Sequence, residues 1–325
     1  MSISKRFKNW LNESFKRKAW NIGFIDYDET TIFKPFKIAW LNVGDYAKKA
    51  WFADPFILSR DGNKVEVLVE EMPLDKPDAL GKISKLEIEC DGNGNYFLKK
   101  VVPVLAGNFH LSFPAIYRKD GEIFIQPECS QSGKSTLYRY DSASATCVPA
   151  ETICDAPLAD PIIFDGFNNG EPMLFATRGD KEHLPKYEKV LDVYRSTTGT
   201  LFGPYENEPF AEIEFPDISP RGAGYFLKIG KKCVRVAQDC NGKYGAGTVF
   251  YEMKFENGKF SFKELARHFP NSSIWHCGLH TFNTFGDLAV VDSYGYLHPI
   301  KCALFLLKSR LKRASLKRKF PHAIF

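Results

Sequence analysis

Acidic side chains, with a few arginines and histidines, recur through the middle of this chain at one phase of a repeat. They are Asp54, Glu70, Glu71, His110, Glu128, Asp160, Arg178, Arg221, Asp239, His280 and Asp292. Carboxylates accept bidentate hydrogen bonds from sugar hydroxyls, and glycosyl transfer needs one as acid, base or nucleophile. Crowded carboxyls also push one another's pKa values apart, leaving one protonated and one ionised near neutrality. Any one of these acids could equally cap a turn. Their shared phase is what marks them as a set.

That phase comes from a repeated unit. Each unit opens with a short motif at the head of a strand, crosses a tight turn, and returns on a second strand ending in a charged residue. The openings are Ala53-Asp54-Pro55-Phe56, Leu111-Ser112-Phe113-Pro114, Ala159-Asp160-Pro161-Ile162, Ser219-Pro220-Arg221-Gly222 and Gly278-Leu279-His280-Thr281. From Pro55 through Pro114, Pro161 and Pro220 to Leu279 the intervals are 59, 47, 59 and 59 residues. The returns end at Glu70-Glu71, Glu128, Arg178, Asp239 and Asp292. Strand-like runs such as Lys64–Glu71, Gly224–Leu227 and Lys232–Ala237 alternate with turn signals such as Lys119-Asp120-Gly121 and Glu256-Asn257-Gly258. Five units, each with room for about four strands, predict an all-β five-bladed propeller. The first two strands of a blade are antiparallel, so the start of one and the end of the next lie together. All the residues above should then surround one mouth of the central channel. Trp51, Phe52, Phe56, Phe109, Phe113, Tyr225, Tyr244 and Trp275 lie near them and either face sugar rings or fill blade interfaces.

The composition fits this reading. With 44% hydrophobic and 26% charged residues in a 325-residue chain, there is material for a sizeable core. No uninterrupted apolar run approaches the ~20 residues of a bilayer-spanning helix. The start has no apolar signal-peptide core, so cytoplasmic residence is the expectation. The eight cysteines are scattered without a CxxC pair and read as reduced core thiols. The net charge of +5 is uneven: residues 1–25 balance to +5 and residues 301–325 to +8, which leaves −8 for the body. An acidic body argues against nucleic-acid binding. Ile3, Phe7, Trp10, Leu11 and Phe15 at one end, and Leu304, Leu307, Leu311 and Ala314 at the other, fall at helical spacing among cations. The expected organisation is a basic amphipathic segment over 1–34, a propeller over 35–300 and a basic amphipathic helix over 301–325. The ends either hold the protein to the anionic inner face of the cytoplasmic membrane or pack on the body.

Other motifs carry less. Ser132-Gly133-Lys134-Ser135-Thr136 lacks the earlier glycine of a phosphate-binding loop, since Glu128 occupies that place. His276-Cys277-Gly278-Leu279-His280 falls on an extended segment, where its histidines would not share a helical face, and no metal is expected.

Trp51-Phe52-Ala53-Asp54-Pro55-Phe56, Val69-Glu70-Glu71, His110-Leu111-Ser112-Phe113-Pro114, Gln126-Pro127-Glu128-Cys129-Ser130 and Arg235-Val236-Ala237-Gln238-Asp239-Cys240 with Tyr244-Gly245 form one set. Over about residues 45–295 it resembles the N-terminal propeller domain of plant glucosamine inositolphosphorylceramide transferases. Related bacterial domains sit among polysaccharide-synthesis proteins. More distantly, the Ala-Asp-Pro openings resemble five-bladed furanosidase-like glycosidases, which draw an acidic residue from several blades. The resemblance implies a carbohydrate-active or carbohydrate-binding propeller. By that similarity Asp54 would be base or nucleophile, Glu128 the acid, and Asp160 or Asp239 a pKa-setting or substrate-holding group. Glu70, Glu71, His110, Arg178, Arg221, His280 and Asp292 would bind substrate.

The leading expectation is a glycosyltransferase-like enzyme of bacterial surface polysaccharide or glycolipid synthesis. It would need no cofactor beyond an activated sugar donor, whose phosphate Arg178 and Arg221 would grip, and would act on a carbohydrate or lipid-linked acceptor. A glycoside hydrolase or phosphorylase on the same scaffold is the second reading. A non-catalytic glycan-binding module serving a partner glycosyltransferase is the third.

Overall fold

The computed structural model describes residues 17–297, apart from 75–77, 168–169, 181–183 and 186. The chain opens with β1 (Arg17–Asp26) and β2 (Ala39–Trp40) and then builds four blades in succession. These are β3 (Ala50–Asp61) to β6 (Tyr96–Leu105), β7 (Ser112–Lys119) to β10 (Thr146–Cys154), β11 (Leu158–Phe164) to β14 (Ala211–Glu214), and β15 (Leu227–Ile229) to β18 (Lys259–His268). β4 is Lys64–Pro73, β8 Glu122–Glu128, β12 Met173–Arg178, β16 Lys232–Asp239 and β17 Gly247–Glu256. The fifth sheet has the order β19 (Phe282–Phe285), β20 (Leu288–Leu297), β1, β2. The fold is therefore the all-β five-bladed propeller that the repeat predicts.

Closure comes from β1, which pairs antiparallel with β20 from Arg17↔Leu297 to Asp26↔Leu288. Part of the stretch set apart in the sequence as residues 1–34 is thus a strand of the ring. The Ile3 to Phe15 stripe and residues 301–325 lie outside the described residues.

Burial follows position within each blade. Inner strands are covered on both faces by neighbouring blades, so β3 is buried almost continuously from Phe52 to Leu58. The outer strand β10 is exposed over most of its length. The core is correspondingly a series of inter-blade clusters. Ile22, Phe52, Val67 and Val290 join the fifth blade to the first, and Phe175, Leu191, Val249 and Tyr251 join the third to the fourth.

The openings carry a shared irregularity. Asp54, Phe113 and Asp160 have φ of 50°, 45° and 47°, and each precedes a proline. Ladder register shifts at the same place in each blade, between Ala53 and Phe56, Ser112 and Ala115, and Ala159 and Ile162. A non-glycine residue in this region costs of order 1–3 kcal/mol, and bulges of this kind re-aim a side chain. Deeper in the channel, the Tyr225 hydroxyl contacts both Ile116 N and Ile116 O at 2.5 Å, crossing from the fourth blade to the second. The strand expected at Gly224–Leu227 instead runs over Leu227–Ile229, for a related reason. At Gly224 (φ +151°) an added Cβ would meet Phe282 O at 2.2 Å, and Asn283 Oδ1 accepts from Tyr225 N at 3.1 Å. The chain here follows its contacts to other blades rather than a ladder.

Candidate functional site

Blades one, three, four and five each send a polar side chain to the mouth at the opening phase: Asp54, Asp160, Arg221 and His280. The second blade keeps the backbone device but fills it with Phe113, which is fully buried and packs edge-on against Phe56. The polar residues form two pairs, each completed by a return-strand acid.

The first pair is Asp54 and His280, backed by Asp292. Asp292 Oδ1 accepts from His280 Nδ1 at 2.7 Å and from the Thr281 N–H at 3.0 Å, while Oδ2 accepts from the Asp54 N–H at 2.9 Å. This directs His280 Nε2 towards Asp54, whose Oδ1 is 3.5 Å away. Asp54 Oδ2 also accepts from the Phe113 N–H at 3.2 Å. Trp20 stacks on the imidazole with ring centroids 4.1 Å apart. Burial drives the Asp54 carboxyl up to about 7; His280 opposes this, while Glu70, Asp292 and Glu128 add to it. For His280, burial disfavours the imidazolium, but Asp292 and Asp54 outweigh it and raise the pKa to about 9. At neutral pH the pair is an imidazolium facing a carboxyl poised to gain or lose a proton.

The second pair is Asp160 and Arg221, joined by Glu128. Arg221 Nε donates to Asp160 Oδ2 at 2.5 Å and its Nη2 donates to Glu128 Oε2 at 3.2 Å. Gln238 Nε2 donates to the same Asp160 oxygen at 2.9 Å, and the Asp160 N–H donates to Glu128 Oε2 at 3.1 Å. Burial raises the Asp160 pKa well above the carboxylate range; Arg221 pulls it down, while Glu128 and Asp54 push it up. The two pairs therefore feel one another.

Glu70 joins this group through His110. Its Oε1 lies 3.3 Å from His110 Nε2, while Nδ1 accepts from the Gly81 N–H at 3.0 Å, which puts the proton of the neutral ring on the side facing Glu70. Burial works against the charged ring, but Glu70, Glu128 and Asp54 raise its pKa.

Three expected site residues are committed elsewhere. Alternation along β4 turns Glu71 away from Glu70, to Tyr46 (2.7 Å), Ser84 (2.5 Å) and Lys82 (3.3 Å). Asp239 accepts from Arg267 at 2.6 Å and from the Asn241 N–H and side chain, both at 2.8 Å, in a network that includes Asp217. Arg178 forms a two-point pair with Asp180 at 3.1 and 3.2 Å. Of the groups expected to do chemistry, Asp54 and Glu128 share one environment. Asp239 is held in the blade-four network.

Trp20 and Gln238 were not among the expected site residues. The uncharged, mostly apolar run Ala19–Ile25, interrupted only by Asn21 and bounded by Lys18 and Asp26, is the signal that points to a buried strand carrying Trp20. Among the aromatics noted in the sequence, Phe52, Phe56 and Phe113 are core. Tyr244 is 45% exposed, with the Arg221 guanidinium 5.2 Å from its ring and the His280 ring edge-on at 5.6 Å. Beside it lies a cavity of about 570 Å³ whose lining includes Arg178, Tyr187, Glu188, Arg221 and Tyr244. That is within the range of small-molecule sites. Asp54, His280 and Asp292 also offer donor atoms within 4.8 Å of one another, a spacing compatible with a metal ion. Both Asp292 oxygens already accept from N–H groups, so the set is organised as a proton network.

The family model described as glucosamine inositolphosphorylceramide transferase 1, N-terminal, matches residues 48–274. The chain belongs to this family. Glucosamine inositolphosphorylceramide transferase 1 of Oryza sativa subsp. japonica is 24% identical over 146 residues, covering 45% of this chain and 19% of that protein. The Arabidopsis thaliana relative is 26% identical over 137 residues, covering 42% and 18%. The match thus spans about a fifth of the length of these relatives. Among solved structures, a protein titled glycoside hydrolase has a TM-score of 0.54 at 10% identity, over 90% of this chain and 96% of that one. A family 43 arabinoxylan arabinofuranohydrolase from Bacillus subtilis, in complex with cellotetraose, has a TM-score of 0.51 at 12% identity, over 78% and 60%. At these identities the likeness is one of fold. The residues matched by the transferase family's N-terminal model include Asp54, Glu70, His110, Glu128, Asp160 and Arg221, while His280 and Asp292 lie beyond them.

Proposed function

We propose that this chain is a carbohydrate-active propeller that takes part in glycosyl transfer during glycolipid or bacterial surface-polysaccharide synthesis. The observation that carries the reading is the convergence of Asp54–His280–Asp292 and Glu128–Arg221–Asp160 on one mouth, with Asp54 poised near 7. Membership of the transferase family supports it. In this reading Asp54 takes the proton of an acceptor hydroxyl as general base. His280, held in place by Asp292, stabilises the resulting charge distribution, and Glu128 and Asp160 hold the sugar hydroxyls. The donor-phosphate role expected of Arg178 and Arg221 is not retained, because both guanidiniums are already matched by carboxylates. The place of action is proposed as the cytoplasmic face of an anionic membrane, held there by the basic ends, with a lipid-linked acceptor.

The test is transfer to membranes from a panel of activated sugars by purified protein. Asp54→Asn is expected to lose about 10²–10⁴ of the rate, the contribution usual for a general base. Equal transfer by wild type and Asp54→Asn would refute the assignment. A second reading, a saccharide-binding module that serves a partner glycosyltransferase, is favoured by the match to an N-terminal stretch covering only about a fifth of the relatives. Saccharide binding without turnover, together with co-purification of a second enzyme, would establish it. A hydrolase or phosphorylase reading requires release of sugar from oligosaccharides without an activated donor.

A further inference from the structure

The cavity beside Tyr244 is continuous in its lining with the mouth. Arg221 belongs both to the Glu128–Asp160 group and to the cavity wall, and Tyr244 stands between His280 and that wall. Thr177 and Arg178 end β12, and Cys240 follows β16, so the cavity opens at the mouth end of blades three and four. Both of its cations are matched, Arg178 with Asp180 and Arg221 with Glu128 and Asp160, and Glu188 adds a further carboxylate to the lining. A wall whose cations are already matched, and which carries Glu188 as an additional acceptor, offers donors and acceptors to hydroxyls but no spare positive charge to an anion, which suits a neutral hydroxylated ring better than a phosphate. The exposed Tyr244 ring is fixed on two sides, which lowers the entropy cost of using it as a platform.

We infer that this cavity is a second saccharide subsite, taking the ring glycosidically linked to the one held at Asp54 and Glu128, with Tyr244 as the wall shared by both rings. The inference rests on the saccharide reading of the mouth. It adds that the ligand recognised is at least a disaccharide and that blades three and four set the preference for its second ring.

Titration calorimetry of the full chain tests it with matched probes: glucose and cellobiose, glucosamine and its β-1,4 dimer, xylose and xylobiose. A disaccharide is expected to bind about tenfold tighter than its monosaccharide, the scale of one well-placed aromatic contact. Cys240→Phe, which fills the cavity, is expected to abolish that gain while leaving monosaccharide affinity unchanged. Tyr244→Ala is expected to weaken both. Binding of monosaccharide with no gain from any dimer, or a gain that survives Cys240→Phe in a protein of unchanged melting temperature, overturns the second subsite alone. Absence of binding by every probe overturns the saccharide reading, and this inference with it.

Discussion

At the mouth, the chemistry depends on which carboxyls are driven out of their ordinary range. Asp54 is raised from 3.8 to about 7, chiefly by burial, so the folded protein binds this proton more tightly than the unfolded chain does. Its favourable contribution is present at acid pH and is lost as pH rises through about 7. His280 is raised from 6.5 to about 9, so its contribution is present below 6.5 and is lost as pH rises through about 9. Both signs agree: the melting temperature should fall from pH 5 to pH 9. Asp54→Asn should flatten the lower part of that slope and His280→Gln the upper part. Scanning calorimetry across this range checks it, and a wild-type curve that rises through pH 7–9 contradicts the assignment. The acids were legible in the sequence as a set, but their partners were not. Glu70 and Glu71 are neighbours in sequence, and strand alternation alone indicates that only one can face the mouth. The commitment of Asp239 to Arg267, 28 residues away on β18, depends on a cross-sheet pairing that no local pattern reveals.

The elements that aim these side chains do so through departures from regular pairing. In the first three blades the X-Pro opening interrupts the ladder and throws residue X out of register. In the fourth blade Gly222 takes the place of proline, because the chain runs against the third blade. A Cβ there would meet Asp160 O at 2.7 Å. Gly222→Ala should therefore push the two strand heads apart and loosen Arg221 from Asp160. The expected cost is about 1–3 kcal/mol in urea denaturation, the usual penalty of overpacking. Unchanged stability would mean that the strand heads are not in contact. The recurring Asp-Pro and Phe-Pro openings made the repeat readable, since proline and turn residues leave strong local marks. Gly224–Leu227 looked like a strand because its apolar residues are strand formers, yet its backbone is diverted by Asn283 from the next blade.

For the whole molecule, the pocket exists only while the ring is closed, and closure rests on β1 lying between β20 and β2. Ile22, on β1, is fully buried where the fifth and first blades meet. Ile22→Ala should cost about 2–5 kcal/mol. It should also raise hydrogen exchange in β19 and β20 before the other blades, and uniform protection would show that the clasp is not the weak point. This closure was hidden in the sequence. Its long partner β20 lies at the far end of the chain, and the cations Arg17 and Lys18 join β1 to the basic stretch before it, which masks the mostly apolar run Ala19–Ile25. Composition did indicate the rest: strand-forming runs between turn signals, enough apolar mass to stack blades, and acids spread across most of the chain.

Asp54 and Glu128, brought together by radial repetition, act on one sugar. A crystal structure of the protein soaked with the tightest-binding saccharide tests this most directly. The expected result is a ring at the mouth within hydrogen-bonding distance of both carboxyls and in contact with Tyr244. A saccharide bound on an outer strand or between blades, with Asp54 and Glu128 untouched, would contradict it.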